Sequence, residues 1–232
     1  MSEAVSTSEP VSDAIHWSGA RRFFFRFSFC YLALYISPTP GIPGLLGFIP
    51  GSSSLTQAII HGWMYILPWF ATHVFHLSGT AVRVYRQSGT GDKTLDFVLV
   101  GVFFLIAAVL SLVWSVMDAK RTNYVTLDAW LRLAVRYFLI YEMLDFGLAK
   151  VIPIQFTQPR LTDLLTPFGM RTSAGAFWTV MGMSPSYVIF SGLGELTAAT
   201  LLMIPRTTAI GAIVTSAVMS NVVALNFGFN LG

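Results

Sequence analysis

Long apolar stretches recur along this chain, and their spacing predicts its architecture. The clearest runs from Phe97 to Met117, 21 residues without a charge. At about 1.5 Å per residue such a helix crosses a hydrocarbon core of ~30 Å. Asp118, Lys120 and Arg121 close it. A Phe- and Tyr-rich stretch from Arg22 to Ile36 ends at the breaker run Ser37-Pro38-Thr39-Pro40-Gly41. Tyr187 to Ile204 and Thr207 to Phe227 are joined by Pro205-Arg206, too short a turn for anything but antiparallel neighbours. Trp130 to Ile152 is equally long but carries Arg132, Arg136, Glu142, Asp145 and Lys150.

The pattern therefore predicts an all-α, polytopic helical bundle of five membrane spans. Leu55 to Leu77 is uncharged but holds Pro68, Gln57, His61, His73 and His76, and reads as an interfacial or re-entrant helix kinked at Pro68. With five crossings, Arg21, Arg22, Lys120, Arg121 and Arg206 share the cytoplasmic side, which puts the N-terminus there too. A sixth crossing at Leu55 to Leu77 would separate the first two from the next two. Residues 1–20 read as a disordered cytoplasmic tail, 21–129 as an N-terminal membrane region with an outer loop, and 130–232 as a membrane core. Ser37 to Asp96 and Pro153 to Ser186 are expected to be long outer connections. The glycine-rich turn Gln87 to Lys93 lacks the strand and helix start that a phosphate cradle needs.

Composition agrees with a bilayer as solvent, with 54% hydrophobic and 11% charged residues and a mean hydropathy of +0.66. A net charge of +3, dispersed at the ends of apolar stretches, points to topology and anionic headgroups rather than nucleic acid. Cys30 is the single cysteine, which excludes an intrachain disulfide and a Cys-x-x-Cys pair.

Candidate chemistry lies where ionisable groups enter the apolar pattern. Ten Leu, Ile, Val and Phe residues from Leu133 to Ile152 recover about 3 to 6 kcal/mol on insertion, while Glu142 and Asp145 alone cost about 5 to 7. The helix cannot face lipid all round. At about 100° per residue, Leu139, Glu142, Phe146, Ala149 and Lys150 share one arc, and Asp145 and Arg136 point elsewhere. Depth along the helices allows Asp145, Glu195, Asn221 and Lys150 to meet. A Lys150 pair with Glu195 or Asp145 would leave one carboxylate over to carry a proton, as a quinol or proton site requires. An ion pair that only locks the helices explains Lys150 and Glu195 equally well. Arg136 is expected to snorkel to cytoplasmic headgroups.

Gly147, Gly192 and Gly194 are candidates for close helix packing, with Ser191 and Asn221 able to hydrogen-bond between helices. His73 and His76, at i and i+3, are a weak metal candidate, because neither a carboxylate nor a cysteine accompanies them. No metal is expected.

Three strings now add up: Arg136-Tyr137-Phe138 leading to Phe146-Gly147-Leu148-Ala149-Lys150-Val151-Ile152-Pro153, then Phe190-Ser191-Gly192-Leu193-Gly194-Glu195, then Ile204-Pro205-Arg206-Thr207-Thr208-Ala209-Ile210-Gly211-Ala212. Together they resemble the DoxX-like family of bacterial integral membrane proteins, over roughly Leu131 to the end, in a longer subgroup with extra N-terminal spans. The resemblance implies a four-helix core with a Gly-x-x-Lys end on its first helix, here Gly147 and Lys150, and an acid on its second, here Glu195. Asn221 to Phe227 is similar to the family's asparagine-containing third helix, and the fourth core helix of relatives would lie beyond Gly232. Glu142 and Asp145 are more acidic than the family pattern.

What the resemblance implies is a multi-pass protein of the bacterial cytoplasmic membrane. It would be a non-catalytic subunit or partner of a quinone-linked membrane oxidoreductase, with quinone as the possible cofactor. Its oligomeric state is left open. A proton or small-solute transporter using Glu142, Asp145 and Glu195, and a membrane assembly or scaffold protein, are the rival readings.

Overall fold

In the computed structural model, which describes residues 16–40, 44–79, 82 and 93–231, the apolar stretches are helices. Among the described residues eight α-helices follow in order: α1 (Gly19–Tyr35), α2 (Ser53–His73), α3 (Thr94–Met117), α4 (Val125–Val151), α5 (Leu161–Leu165), α6 (Ser173–Met183), α7 (Pro185–Met203) and α8 (Thr208–Phe229). No β-strand occurs among the described residues. Among the described residues three helices, α3, α7 and α8, are long and apolar enough to cross a membrane. Apolar side chains stand exposed along them, among them Val109, Leu112 and Ile213, as a lipid-facing surface requires.

Two compact units divide the chain, residues 1–83 with 98–135 and residues 84–97 with 136–232. In the first, Trp17, Phe25, Tyr124 and Leu131 form the core. The Ser18 side chain caps α1 by accepting from the Arg21 amide at 3.2 Å. The last residues of the expected tail are ordered into the unit: Gly19 and Ala20 are helical, Trp17 is buried, and its amide donates to the Thr122 carbonyl at 3.0 Å. Residues 1–15 lie outside the described residues, as do residues 87–92 of the glycine-rich turn.

Helix α2 continues through Pro68, whose missing N–H leaves the Met64 carbonyl without its usual donor. Trp63 packs edge-on against Phe103, and Phe75 lies where a Cβ on Gly101 would stand. Between those contacts the chain advances twelve residues on the α2 side and two on α3, about 18 Å against about 3 Å at helical rise. Trp63 of α2 and Phe75 just past its end thus both meet the N-terminal half of α3.

In the second unit the turn at Pro205-Arg206 sends α8 back along α7. Gly211 makes their close approach possible, since a Cβ there would stand 2.7 Å from the Leu202 amide nitrogen. The connection from Pro153 to Ser186 is not a plain loop. It contains α6, started by the Thr172 side chain accepting from the Gly175 amide at 3.0 Å. Phe177 and Met181 of α6 pack with Phe156 and with Val188 of α7.

Candidate functional site

The second half of α4 runs antiparallel to α7, and two points set their register. Arg136 reaches the carbonyls of Leu202 and Met203 at the end of α7, at 2.6 and 2.7 Å. Eleven residues on, Gly147 crosses Gly192: a Cβ on Gly192 would stand 2.8 Å from the Gly147 carbonyl oxygen and 2.8 Å from the Lys150 Cβ. Lys150 lies three residues past this crossing on α4, and Glu195 three residues past it on α7 in the opposite direction. Their Cα levels are therefore about 9 Å apart along the helices. Helical side chains lean toward their own N-termini, so in this antiparallel pair each leans back toward the crossing and toward the other. The result is a two-pronged ion pair, with the Lys150 Nζ donating to Glu195 Oε1 at 2.6 Å and Oε2 at 2.8 Å.

Both partners are buried, Glu195 completely. A charge so placed is stable only when paired and hydrogen-bonded, and the carboxylate here takes two bonds from one ammonium. The same ammonium sits 5.5 Å from the centroid of the Phe146 ring, which adds a cation–π contact.

Beside the pair opens a cavity of about 120 Å³. Lys150 and Glu195 are part of its lining, and aromatic side chains from α4, the link after it, α6 and α7, namely Phe146, Phe156, Phe177, Trp178 and Tyr187, wall it. Gln155, Ser191 and Asn221 add polar groups. Gln155 lines the cavity, and its Oε1 is buried with no hydrogen-bond partner among the described residues. An apolar cavity of about 150 Å³ is known to hold benzene, so this one is the size for a single-ring headgroup and not for a long tail.

Of the four residues that depth allowed to meet, three come together: Lys150 and Glu195 as a pair, and Asn221 on the wall of the same cavity. Asp145 does not join them, because it lies on the exposed side of α4. Glu142 is also outside the cavity lining; its Oε1 is buried and has no partner among the described residues. Arg136 does not snorkel to headgroups but supplies donors to the carbonyls that end α7, which have no partner within that helix. Gly194 is no packing residue, since a Cβ there would meet nothing within 4 Å. Arg132 is exposed and pairs with Asp128 one turn back at 2.8 Å.

His73 is exposed and stacks on Trp69 with ring centroids 4.9 Å apart, and its Nδ1 lies 2.8 Å from the Thr72 hydroxyl. His76 is exposed beyond the end of α2. Among the described residues no group of three or more potential ligands could hold a metal. Sequence reasoning missed Gln155, Phe156, Phe177, Trp178 and Met181, all in the segment expected to be an outer connection. The signal available was the pairing of Phe177 and Trp178 within a charge-free run from Thr172 to Ser186.

Comparison with known proteins gives one informative similarity. The protein YwoB of Bacillus subtilis (strain 168), itself uncharacterised, is 38% identical over 100 residues, which make up 42% of this chain and 61% of YwoB. The chain thus spans less than two thirds of that relative's length. No family model matches the chain, and no solved structure matches it.

Proposed function

We propose that this chain is a DoxX-like subunit of a quinone-linked membrane oxidoreductase, not a complete enzyme, and that the cavity beside Lys150 and Glu195 receives the headgroup of the lipophilic ligand. The observation that carries the reading is a buried ammonium–carboxylate pair opening onto an aromatic-walled space of single-ring size. A flat ring suits the aromatic walls. The Gln155 acceptor and the Lys150 ammonium suit the hydroxyl and carbonyl oxygens of a quinol and a quinone. The tail of such a ligand would leave the cavity for the surrounding lipid.

The proposed topology has five crossings in a bacterial cytoplasmic membrane, α1, α3, α4, α7 and α8, with the N-terminus on the cytoplasmic side. Two features of the first unit support an uncrossed α2. Trp63 and Phe75 both meet α3 within residues 101–103, and the Arg22 Nη1 donates to the Arg121 carbonyl at 2.6 Å, so the start of α1 and the end of α3 lie at the same end. An additional full crossing between them would put those ends on opposite sides.

The test is Glu195→Gln in the full-length protein, assayed in membranes with its native partners. Quinone-dependent electron transfer is expected to fall about tenfold or more, as for removal of one charge-assisted bond to a bound group, with the folded protein retained. Unchanged activity in a folded variant would sink the proposal. One observation favours a second reading, in which the pair is a bolt in an assembly protein: its carboxylate is fully engaged by Lys150 at the tight glycine crossing. The exchanged variant Lys150→Glu with Glu195→Lys separates the two. Full function with the charges swapped favours the bolt, and a folded but inactive protein favours the ligand site.

A further inference from the structure

We propose that the first unit binds the phosphate of an anionic phospholipid at the junction of the α1 start with the link between α3 and α4. The proposal does not depend on the quinone reading. Arg21, Arg22, Lys120 and Arg121 gather there, and the nearby acid, Asp118, is already engaged by the Tyr124 hydroxyl at 2.9 Å.

The geometry is more particular than a basic surface. Trp17 and Tyr124 stand with ring centroids 6.2 Å apart, and each carries a guanidinium. Arg21 lies over Trp17 at 4.2 Å and Arg121 over Tyr124 at 5.1 Å. Arg22 is tied into the same place through its 2.6 Å bond to the Arg121 carbonyl. Among the described residues neither Arg21 nor Arg121 makes an ion pair. Cations gathered on neighbouring rings repel one another, and an added anion would relieve that repulsion.

Two buried donors in these residues lack an acceptor. The Trp17 Nε1 and the Arg22 Nε are buried without a hydrogen-bond partner among the described residues, and Trp17 is only 7% exposed. Donors left unmade in this way are costly, and a phosphate offers several acceptor oxygens in the geometry a guanidinium fork prefers. Position selects the source. Helix α3, which is long and apolar enough to cross a membrane, ends at Met117, so residues 118–124 follow at the level where phospholipid phosphates lie.

The experiment uses the full-length protein in a mild detergent and measures affinity for phosphatidylglycerol and phosphatidylcholine of equal chain length. Wild type is expected to prefer the anionic lipid about tenfold or more. Arg21→Gln with Arg121→Gln should weaken phosphatidylglycerol binding about 25-fold, about fivefold for each basic residue near an anionic headgroup, and leave phosphatidylcholine binding unchanged. Should that variant fail to fold, Arg21→Lys with Arg121→Lys keeps the charge but loses the fork, and Trp17→Phe keeps the ring but loses the donor. Each should reduce the preference about threefold to fivefold. Equal affinity of wild type for the two lipids overturns the proposal, and so does full preference in both conservative variants. Displacement of bound phosphatidylglycerol by millimolar inorganic phosphate would make this a free-ion site and overturn the lipid assignment.

Discussion

Buried cations are treated differently in the two units. In the first, Arg26 donates to the Tyr124 hydroxyl at 2.9 Å and to the Asp118 carbonyl at 2.8 Å, and the phenol in turn donates a hydrogen bond to the Asp118 carboxylate at 2.9 Å. In the second, Lys150 relies on Glu195 for both of its hydrogen bonds to other side chains. The first arrangement spreads one charge over a phenol, a carbonyl and an acid. The second concentrates two charges on each other, beside open space. A distributed network holds Arg26 with no bond free to exchange, whereas a concentrated pair next to a cavity can trade one of its bonds for a ligand.

The comparison breaks most sharply on removal of one partner of the concentrated pair. Lys150→Ala leaves Glu195 buried with no cation, and the loss expected for such an orphaned charge is about 3 to 5 kcal/mol, read from thermal unfolding in detergent. Replacing both by methionine should restore most of that stability, because an ion pair and a well-packed apolar pair of similar volume are close in free energy. Recovery of stability without recovery of activity would assign the charges to function. If Lys150→Ala unfolds no more easily than wild type, Glu195 does not depend on that one cation.

The close crossing that brings the pair together is the next most sensitive point. Gly192→Ala places a methyl group 2.8 Å from the Gly147 carbonyl oxygen and must push α7 away from α4. A cost of about 1 to 3 kcal/mol follows from overpacking, with weakened ligand retention as the Lys150 and Glu195 side chains lose their common meeting point. Gly194→Ala, two residues on, meets nothing within 4 Å. It should be neutral or gain up to about 1 kcal/mol of helix propensity. Equal destabilisation by the two substitutions would refute this register of α4 on α7.

That contrast also marks what could be read from the chain alone. Long charge-free runs betray membrane-length helices whatever their neighbours, so the helices around Phe97 to Met117 and after Tyr187 were legible to within a few residues. Lys150 and Glu195 stood out as candidates because a charge at bilayer depth demands a partner. The identity of the partner was not legible, since Asp145 lies at a similar depth to Glu195. Side-chain lean across an antiparallel crossing decides between them, and lean needs the register. Residues 192 and 194 differ by about 200° around a helix, so both could not face α4, but the choice depended on where α4 lies. The cavity wall from α6 was missed because 11 residues are too few to cross a membrane, and a short helix between spans looks like a loop until its aromatic side chains find a core.

The distributed network should fail more gently, and its hydroxyl has a pH signature. Tyr124→Phe removes an acceptor from Arg26 and a donor to Asp118 while keeping the ring, so about 1 to 2 kcal/mol of stability should go, less than for Lys150→Ala. Burial pushes the Tyr124 phenol up from its ordinary value, against the opposing pull of the Arg26 hydrogen bond. The folded protein then keeps this proton at a pH where the unfolded chain has begun to lose it. The associated stability is fully present below the ordinary tyrosine value of about 10 and is lost as pH rises toward the folded-state value. Thermal unfolding of wild type from pH 8 to 11 should therefore decline more steeply above pH 10 than that of Tyr124→Phe. Parallel curves for the two proteins would mean that the phenol gains nothing from its place between Arg26 and Asp118, and the contrast between a shared charge and a concentrated one would lose its first member.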